Sequence, residues 1–124
     1  MMRKMMRSAT IRIRKANDAL SDVRAGFLAA WKSGEYAGEH FDFESPAALF
    51  RVLTPKRWEL IECLQKAGPL GVRALARALE RDVKRVHDDA TGLIEVGMVE
   101  KTSDGKLIVP FAEIRADFVM KSAA

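Results

Sequence analysis

Helical and extended periodicities follow one another along the second half of the chain, with clear punctuation between them. Thr54-Pro55 supplies a cap and a first-turn proline for a helix that turns Trp58, Leu60, Ile61 and Leu64 inward and stops at Gly68-Pro69. Val72, Leu75, Ala76 and Leu79 then fall at i, i+3, i+4 and i+7, the spacing of a second amphipathic helix. Asp82 caps a third, ending near Gly97, with Val83, Val86, Ala90, Leu93 and Ile94 on its apolar side. After it, Met98 to Thr102 and Lys106 to Val109 read as two strands joined by the turn Ser103-Asp104-Gly105.

The flanking segments are patterned too. Ile11 and Ile13 alternate with Arg12 and Arg14, so Thr10 to Arg14 is a short strand with a basic face. Leu20, Val23, Phe27, Leu28 and Trp31 have helical spacing, with Asn17 or Ser21 as the cap and Gly34 as the stop. Phe41 and Phe43, set between His40, Asp42 and Glu44, predict a second strand, and Ser45-Pro46 opens a short helix carrying Leu49, Phe50 and Leu53. In the tail Ile114, Ala116, Phe118 and Met120 alternate, whereas Phe111, Ile114 and Phe118 also suit a helix; the strand is preferred. The tryptophans Trp31 and Trp58 and the six phenylalanines read as core rather than as base-stacking platforms.

Three helices on tight turns, followed by a hairpin, give the fold class α+β: a winged helix-turn-helix from about Leu53 to Val109 with an N-terminal strand-helix-strand extension. The expected division is an extension over residues 1–52 for dimerisation or partner binding, a DNA-binding unit over 53–110, and a strand or tail over 111–124. A length of 124 residues suits one compact domain with an appended arm.

Charge adds a modest indication of a polyanionic partner, with a net +4 and a pI near 9.5. Six basic residues and no acid fall between Met1 and Lys15, a segment that serves either as a nucleic-acid arm or as a solvated terminus. The single Cys63 excludes an intramolecular disulfide and reads as core packing. No apolar run reaches membrane length and no leader pattern precedes a cleavage site, so a soluble cytoplasmic protein is expected. His40 and His87 have no cysteine pair to complete a metal site. With no phosphate-cradling glycine loop and no defensible nucleophile–base spacing, neither catalysis nor a cofactor is expected.

The candidate site is the face of the third helix opposite its apolar side, centred on Arg81, Lys84, Arg85, Asp88, Gly92 and Glu95. Its cations gather in the first turn, the half of a recognition helix that meets base edges. Lys84 and Arg85 suit guanine or phosphate, while Asp88 suits cytosine N4 or holds Arg85 and Lys84 across a helical turn. Arg73 and Arg77 are placed to reach phosphates from the second helix, and Lys56 and Arg57 sit at a helix start whose free N–H groups suit an anion. Lys101 and Lys106 flank the hairpin turn, where a wing touches DNA. The competing reading of the third helix is an ordinary solvated face with internal ion pairs.

A set of short stretches adds a resemblance. They are Phe43-Glu44-Ser45-Pro46, Leu49-Phe50-Arg51-Val52-Leu53-Thr54-Pro55-Lys56-Arg57-Trp58, Gly68-Pro69-Leu70, Leu75-Ala76-Arg77, Arg81-Asp82-Val83-Lys84-Arg85-Val86-His87, Leu93-Ile94, Gly97, Asp104-Gly105, Pro110 and Glu113-Ile114-Arg115. Over roughly Phe41 to Phe118 the chain resembles the MarR-like DNA-binding proteins of bacteria and archaea that often accompany a small toxin gene. Phe111 departs from the tyrosine common there.

The resemblance implies a winged-helix transcriptional regulator with Asp82 to Val96 as recognition helix, acting as the antitoxin of a type II toxin–antitoxin operon that represses its own promoter. It also implies a homodimer reading paired operator half-sites in double-stranded DNA. The segments Thr10 to Arg14, Leu20 to Trp31 and Ile114 to Met120 are then the candidate contacts with a second copy or a toxin. Two other classes remain open: a protein-interaction module that uses the same fold without DNA, and a nonspecific architectural DNA binder.

Overall fold

The computed structural model describes residues 7–14 and 38–122. In chain order its elements are β1 (Ser8–Ile13), β2 (Glu39–Phe43), α1 (Pro46–Val52), α2 (Pro55–Ala67), α3 (Val72–Leu79), α4 (Val83–Val96), β3 (Glu100–Lys101), β4 (Leu107–Ile108) and β5 (Glu113–Ala116). The chain is thus mixed α+β. The helix expected from Leu20 to Trp31 lies outside the described residues.

Local chemistry fixes the helix starts. The side-chain oxygens of Ser45, Thr54 and Asp82 accept the backbone N–H of Ala48, Arg57 and Arg85 at 3.1, 3.3 and 3.1 Å. Each satisfies one of the orphan donors of a first turn, and Pro46 and Pro55 remove another. Left-handed residues provide two of the stops. Glu80 (φ 56°) ends α3 with its N–H directed at the Ala76 and Arg77 carbonyls, and Gly97 (φ 96°) ends α4. At Gly97 the backbone conformation disfavours a side chain, and the Phe41 ring lies in close contact, 3.4 Å from where a Cβ would stand.

The chain beyond Gly97 corrects one expectation. The N–H groups of Met98 and Val99 both donate to the Leu93 carbonyl, at 3.0 and 3.3 Å, and their side chains are buried. These residues finish the end of α4 rather than start a strand. The hairpin therefore narrows to β3 and β4, pairing Glu100 with Ile108 and Lys101 with Leu107. Leu70, between α2 and α3, adds a bridge to Leu107 through reciprocal hydrogen bonds of 3.1 and 2.8 Å, tying the hairpin to the helices.

The two ends of the chain meet in a three-stranded sheet of order β2-β1-β5, in which β1 runs parallel to both neighbours. Ile11 stands opposite Phe41 on one side and Ala116 on the other. The tail is a strand, as its alternation suggested, but β5 ends at Ala116, opposite Ile11, and Phe118 to Met120 continue unpaired. The segments expected to form separate N- and C-terminal pieces thus share one sheet.

One apolar cluster joins that sheet to the helices and the hairpin, with Ile11, Leu49, Leu64, Leu75, Leu93 and Leu107 each contributed by a different element. Trp58 and Cys63 sit partly buried at its margin. Phe50 does not belong to it and is 53% exposed. On a seven-residue helix Leu49 and Leu53 take the inward side, and the next position is rotated out by about 100°. Phe118 and Val83 are exposed as well, against expectation. Among the described residues no helix is long and apolar enough to cross a membrane.

Leu93 is wholly buried and its carbonyl also anchors the turn into the hairpin. Leu93→Ala is expected to lower unfolding free energy by about 3 kcal/mol, the midrange for a buried leucine truncation. Urea denaturation checks this, and a loss below about 1 kcal/mol would contradict the packing described.

Candidate nucleic-acid interface

The face that α4 offers follows from the side it buries. Val86, Ala90 and Leu93 are enclosed, which turns Lys84, Arg85, His87, Asp88, Thr91 and Glu95 to solvent. Lys84 and Arg85 lie in the first turn, beside the positive end of the helix dipole. Asp88 leans on Lys84 (3.7 Å) and on His87 (3.8 Å) rather than on Arg85. Arg85 forms no side-chain ion pair among the described residues. Along the whole face the two cations are balanced by Asp88 and Glu95, so its positive character is confined to its start.

Two of the arginines expected to contact DNA are engaged with a carboxylate of the protein itself. Arg81 precedes the Asp82 cap and folds inward, its Nη2 2.8 Å from Asp89 Oδ2, with its side chain only 12% exposed. Arg57 reaches the other oxygen of the same carboxylate, Nε to Oδ1 at 3.1 Å, and also donates to the Val52 carbonyl at 3.0 Å. Its guanidinium crosses α4 directly over Gly92, where a Cβ would meet Nη2 at 2.6 Å. Gly92, placed by the helical wheel on the open face, is therefore the slot for Arg57.

Asp89 is thus the hub between the start of α2, the turn before α4, and α4 itself. Burial pushes its carboxyl upward, but hydrogen bonds from Arg81 and Arg57, reinforced by their charges, outweigh that and hold it below the ordinary carboxylate value. Sequence reasoning missed Asp89. The available signal was Gly92, a residue that costs a helix interior about 1 kcal/mol and so marks a close approach.

The remaining candidates lie around α4. Lys56, exposed in the first turn of α2, lines an open groove of about 550 Å³ with Thr54, Pro55, Arg81, Arg85 and Asp88. On the other flank, Lys101 of the hairpin borders a cleft with Val72, His87, Thr91 and Ile94. Lys106 is exposed beside the turn, which is ordered by the Thr102 hydroxyl donating to Asp104 and by Gly105 at φ 84°. The Thr102 hydrogen bond, helped by the charge of Lys106, holds the Asp104 carboxyl below its usual value. Arg73 and Arg77 are exposed on one side of α3. The structure therefore brings Lys56, Lys84, Arg85 and Lys101 around one helix and withdraws Arg57 and Arg81.

The hairpin is fixed from behind. Arg7 donates twice to Glu39 (3.0 and 3.1 Å), reaches Glu100 on β3 (3.4 Å), and lies 5.2 Å above the Phe111 ring. Phe111 in turn meets Phe41 edge-on with centroids 5.8 Å apart. The Glu39 hydrogen bond above all, with the charges of Glu39 and Glu100, raises the Arg7 pKa against the opposing effect of desolvation. Among the described residues no group of three or more histidine, cysteine, aspartate or glutamate side chains is placed to hold a metal ion.

Compared with known proteins, residues 52–116, just over half of the 124, match the HVO_A0114 family, a span that contains α2 to α4, the hairpin and β5. No curated protein and no solved structure matches the chain.

Asp89→Asn removes the charge shared by the two arginines and is expected to destabilise the fold by about 2 kcal/mol near neutral pH, a partly exposed cluster lying between surface and buried pairs. Because the folded-state carboxyl is depressed, its contribution is complete above the unfolded-state value of about 4 and is lost as pH falls below it. Denaturation curves should therefore show the gap between wild type and Asp89→Asn narrowing as pH drops below about 4. A gap independent of pH would contradict the hub.

Proposed function

The chain belongs to the HVO_A0114 family, and we propose that this member is a winged helix-turn-helix DNA-binding regulator that reads an operator with α4. The observation that carries the reading is the pair of cations Lys84 and Arg85, exposed in the first turn of a helix set between a groove bearing Lys56 and a hairpin bearing Lys101. In this reading α3 and α4 are the helix-turn-helix, joined through left-handed Glu80, and β3–β4 is the wing.

Roles divide by chemistry. Arg85, without an ion-pair partner among the described residues, suits bidentate recognition of a guanine edge, and Lys84 suits a phosphate or a base acceptor. His87 and Thr91 border the cleft on the Lys101 flank. Lys56, Arg73, Arg77, Lys101 and Lys106 serve as sequence-independent phosphate contacts that set register. Arg57 and Arg81 act through Asp89 to hold α4 in place. The complementary proposal, that the protein also neutralises a small toxin and represses their shared operon, is supported by the resemblance to MarR-like antitoxin regulators alone.

A second reading has one observation in its favour. Asp88 and Glu95 give the later turns of the α4 face an acidic share, which suits a protein-interaction module better than a DNA reader.

The double substitution Lys84→Ala with Arg85→Ala separates the two. In fluorescence anisotropy on a duplex from upstream of its own gene, the variant is expected to bind at least about tenfold more weakly and to show a salt slope shallower by about 2. Unchanged affinity and slope, with an unchanged melting curve, would favour the interaction module.

A further inference from the structure

The period-two pattern of the tail outlasts the strand that it forms. From the start of β5, Ile114, Ala116, Phe118 and Met120 are apolar and alternate with Glu113, Arg115, Asp117 and Val119. β5 nevertheless pairs with β1 only as far as Ala116, and its other edge is unpaired among the described residues. Directly after it Phe118, Val119 and Met120 stand 36%, 73% and 77% exposed. This is a strand pattern with half its partner missing, on an edge that carries no proline from Glu113 to Met120 to block pairing.

The opposite edge of the sheet differs. On β2, Asp42 is bound to Arg12 (2.8 and 3.1 Å) and Glu39 to Arg7. On β5, Glu113, Arg115 and Asp117 form no ion pair among the described residues. Three uncommitted charges of alternating sign therefore line an open edge.

Backbone direction restricts what can add there. The Asp117 N–H donates to the Ile11 carbonyl, so residue 117 faces β1 and, by alternation along the ladder, the N–H and C=O of Ile114 and Ala116 point outward. An antiparallel strand must then bring its own outward residues opposite these. A second copy of the same strand does so when a two-fold axis passes through Ala116. Ile114 of each copy then stands opposite Phe118 of the other, and Arg115 opposite Asp117, so that both charge pairs are attractive and Phe118 is covered by an apolar neighbour.

Centring the axis on Arg115 instead would oppose two arginines and set Glu113 against Asp117. Centring it on Ile114 would leave Val119 and Met120 outside the paired region. We infer that β5 and the residues after it, through Met120, form the contact between two copies of this chain, continuing the parallel sheet of each across an antiparallel seam at Ala116. The contact is isologous, so it closes at two copies along this edge. The inference is independent of DNA binding, because it uses no residue of α4 or the hairpin.

Sedimentation velocity on the full chain tests it with two single charge reversals and their mixture. Wild type is expected to sediment as a dimer. Arg115→Asp and Asp117→Arg should each weaken dimerisation at least about tenfold, because each sets like charges opposite one another twice across the seam. Mixing the two variants should restore a dimer that native mass spectrometry shows to hold one copy of each, since every reversed charge then faces its opposite. A wild type that stays monomeric throughout its soluble range would overturn the inference. So would Asp117→Arg dimerising as wild type does, or a mixture that remains monomeric.

Discussion

A single carboxylate governs how the helices present themselves. Asp89 lies on the flank of α4 that turns toward α2, and it draws in the two arginines nearest to it, Arg57 and Arg81. Drawing a carboxylate partly out of water is unfavourable unless its oxygens are occupied by donors, and here each oxygen takes one guanidinium. The arrangement also needs Gly92, because any side chain there would occupy the path of Arg57 across the helix. With α4 clasped in this way from one flank and anchored by Val86, Ala90 and Leu93 beneath, its outward face is fixed. The cations left exposed on that face are Lys84 and Arg85.

That outcome revises the electrostatic reading of the chain. A net charge of +4 and a cluster of arginines around α4 suggest a broadly basic surface. Two of those arginines are instead internal, and Asp88 and Glu95 offset the cations that remain on the face. On the proposed reading, DNA recognition would rest on few charges placed at a helix start, supported by Lys56 on one flank and Lys101 on the other, rather than on a general field.

The punctuation of the fold was legible from local residues. Ser45-Pro46, Thr54-Pro55, Asp82 and Gly97 act within three or four residues of themselves, so caps, first-turn prolines and left-handed stops stand where the sequence signals place them. What escaped depends on contacts between distant segments. Periodicity shows that Glu113 to Ala116 is extended, but not that it lies beside Ser8 to Ile11, more than a hundred residues earlier. The helical wheel places Arg81 among solvent-facing cations, and the helix-start reading offers Arg57 to an anion, because neither registers that Asp89 comes between them. Met98 and Val99 look like strand residues by type, yet their N–H groups are taken by the Leu93 carbonyl and the strand begins later.

The hairpin and the sheet are linked by one side chain, since Arg7 spans Glu39 on β2 and Glu100 on β3 while covering Phe111. The region beside α4 is therefore braced at both flanks, by Asp89 on one and by Arg7 behind the hairpin on the other, a rigidity that suits recognition of a preformed surface. The most direct measurement is the affinity of the wild-type protein, at one fixed salt concentration, for DNA upstream of its own gene and for a scrambled duplex of the same composition. Sequence-specific reading by α4 predicts a clear preference for the upstream DNA, on the order of a thousandfold if the operator lies within it. Equal affinity for the two duplexes would contradict it.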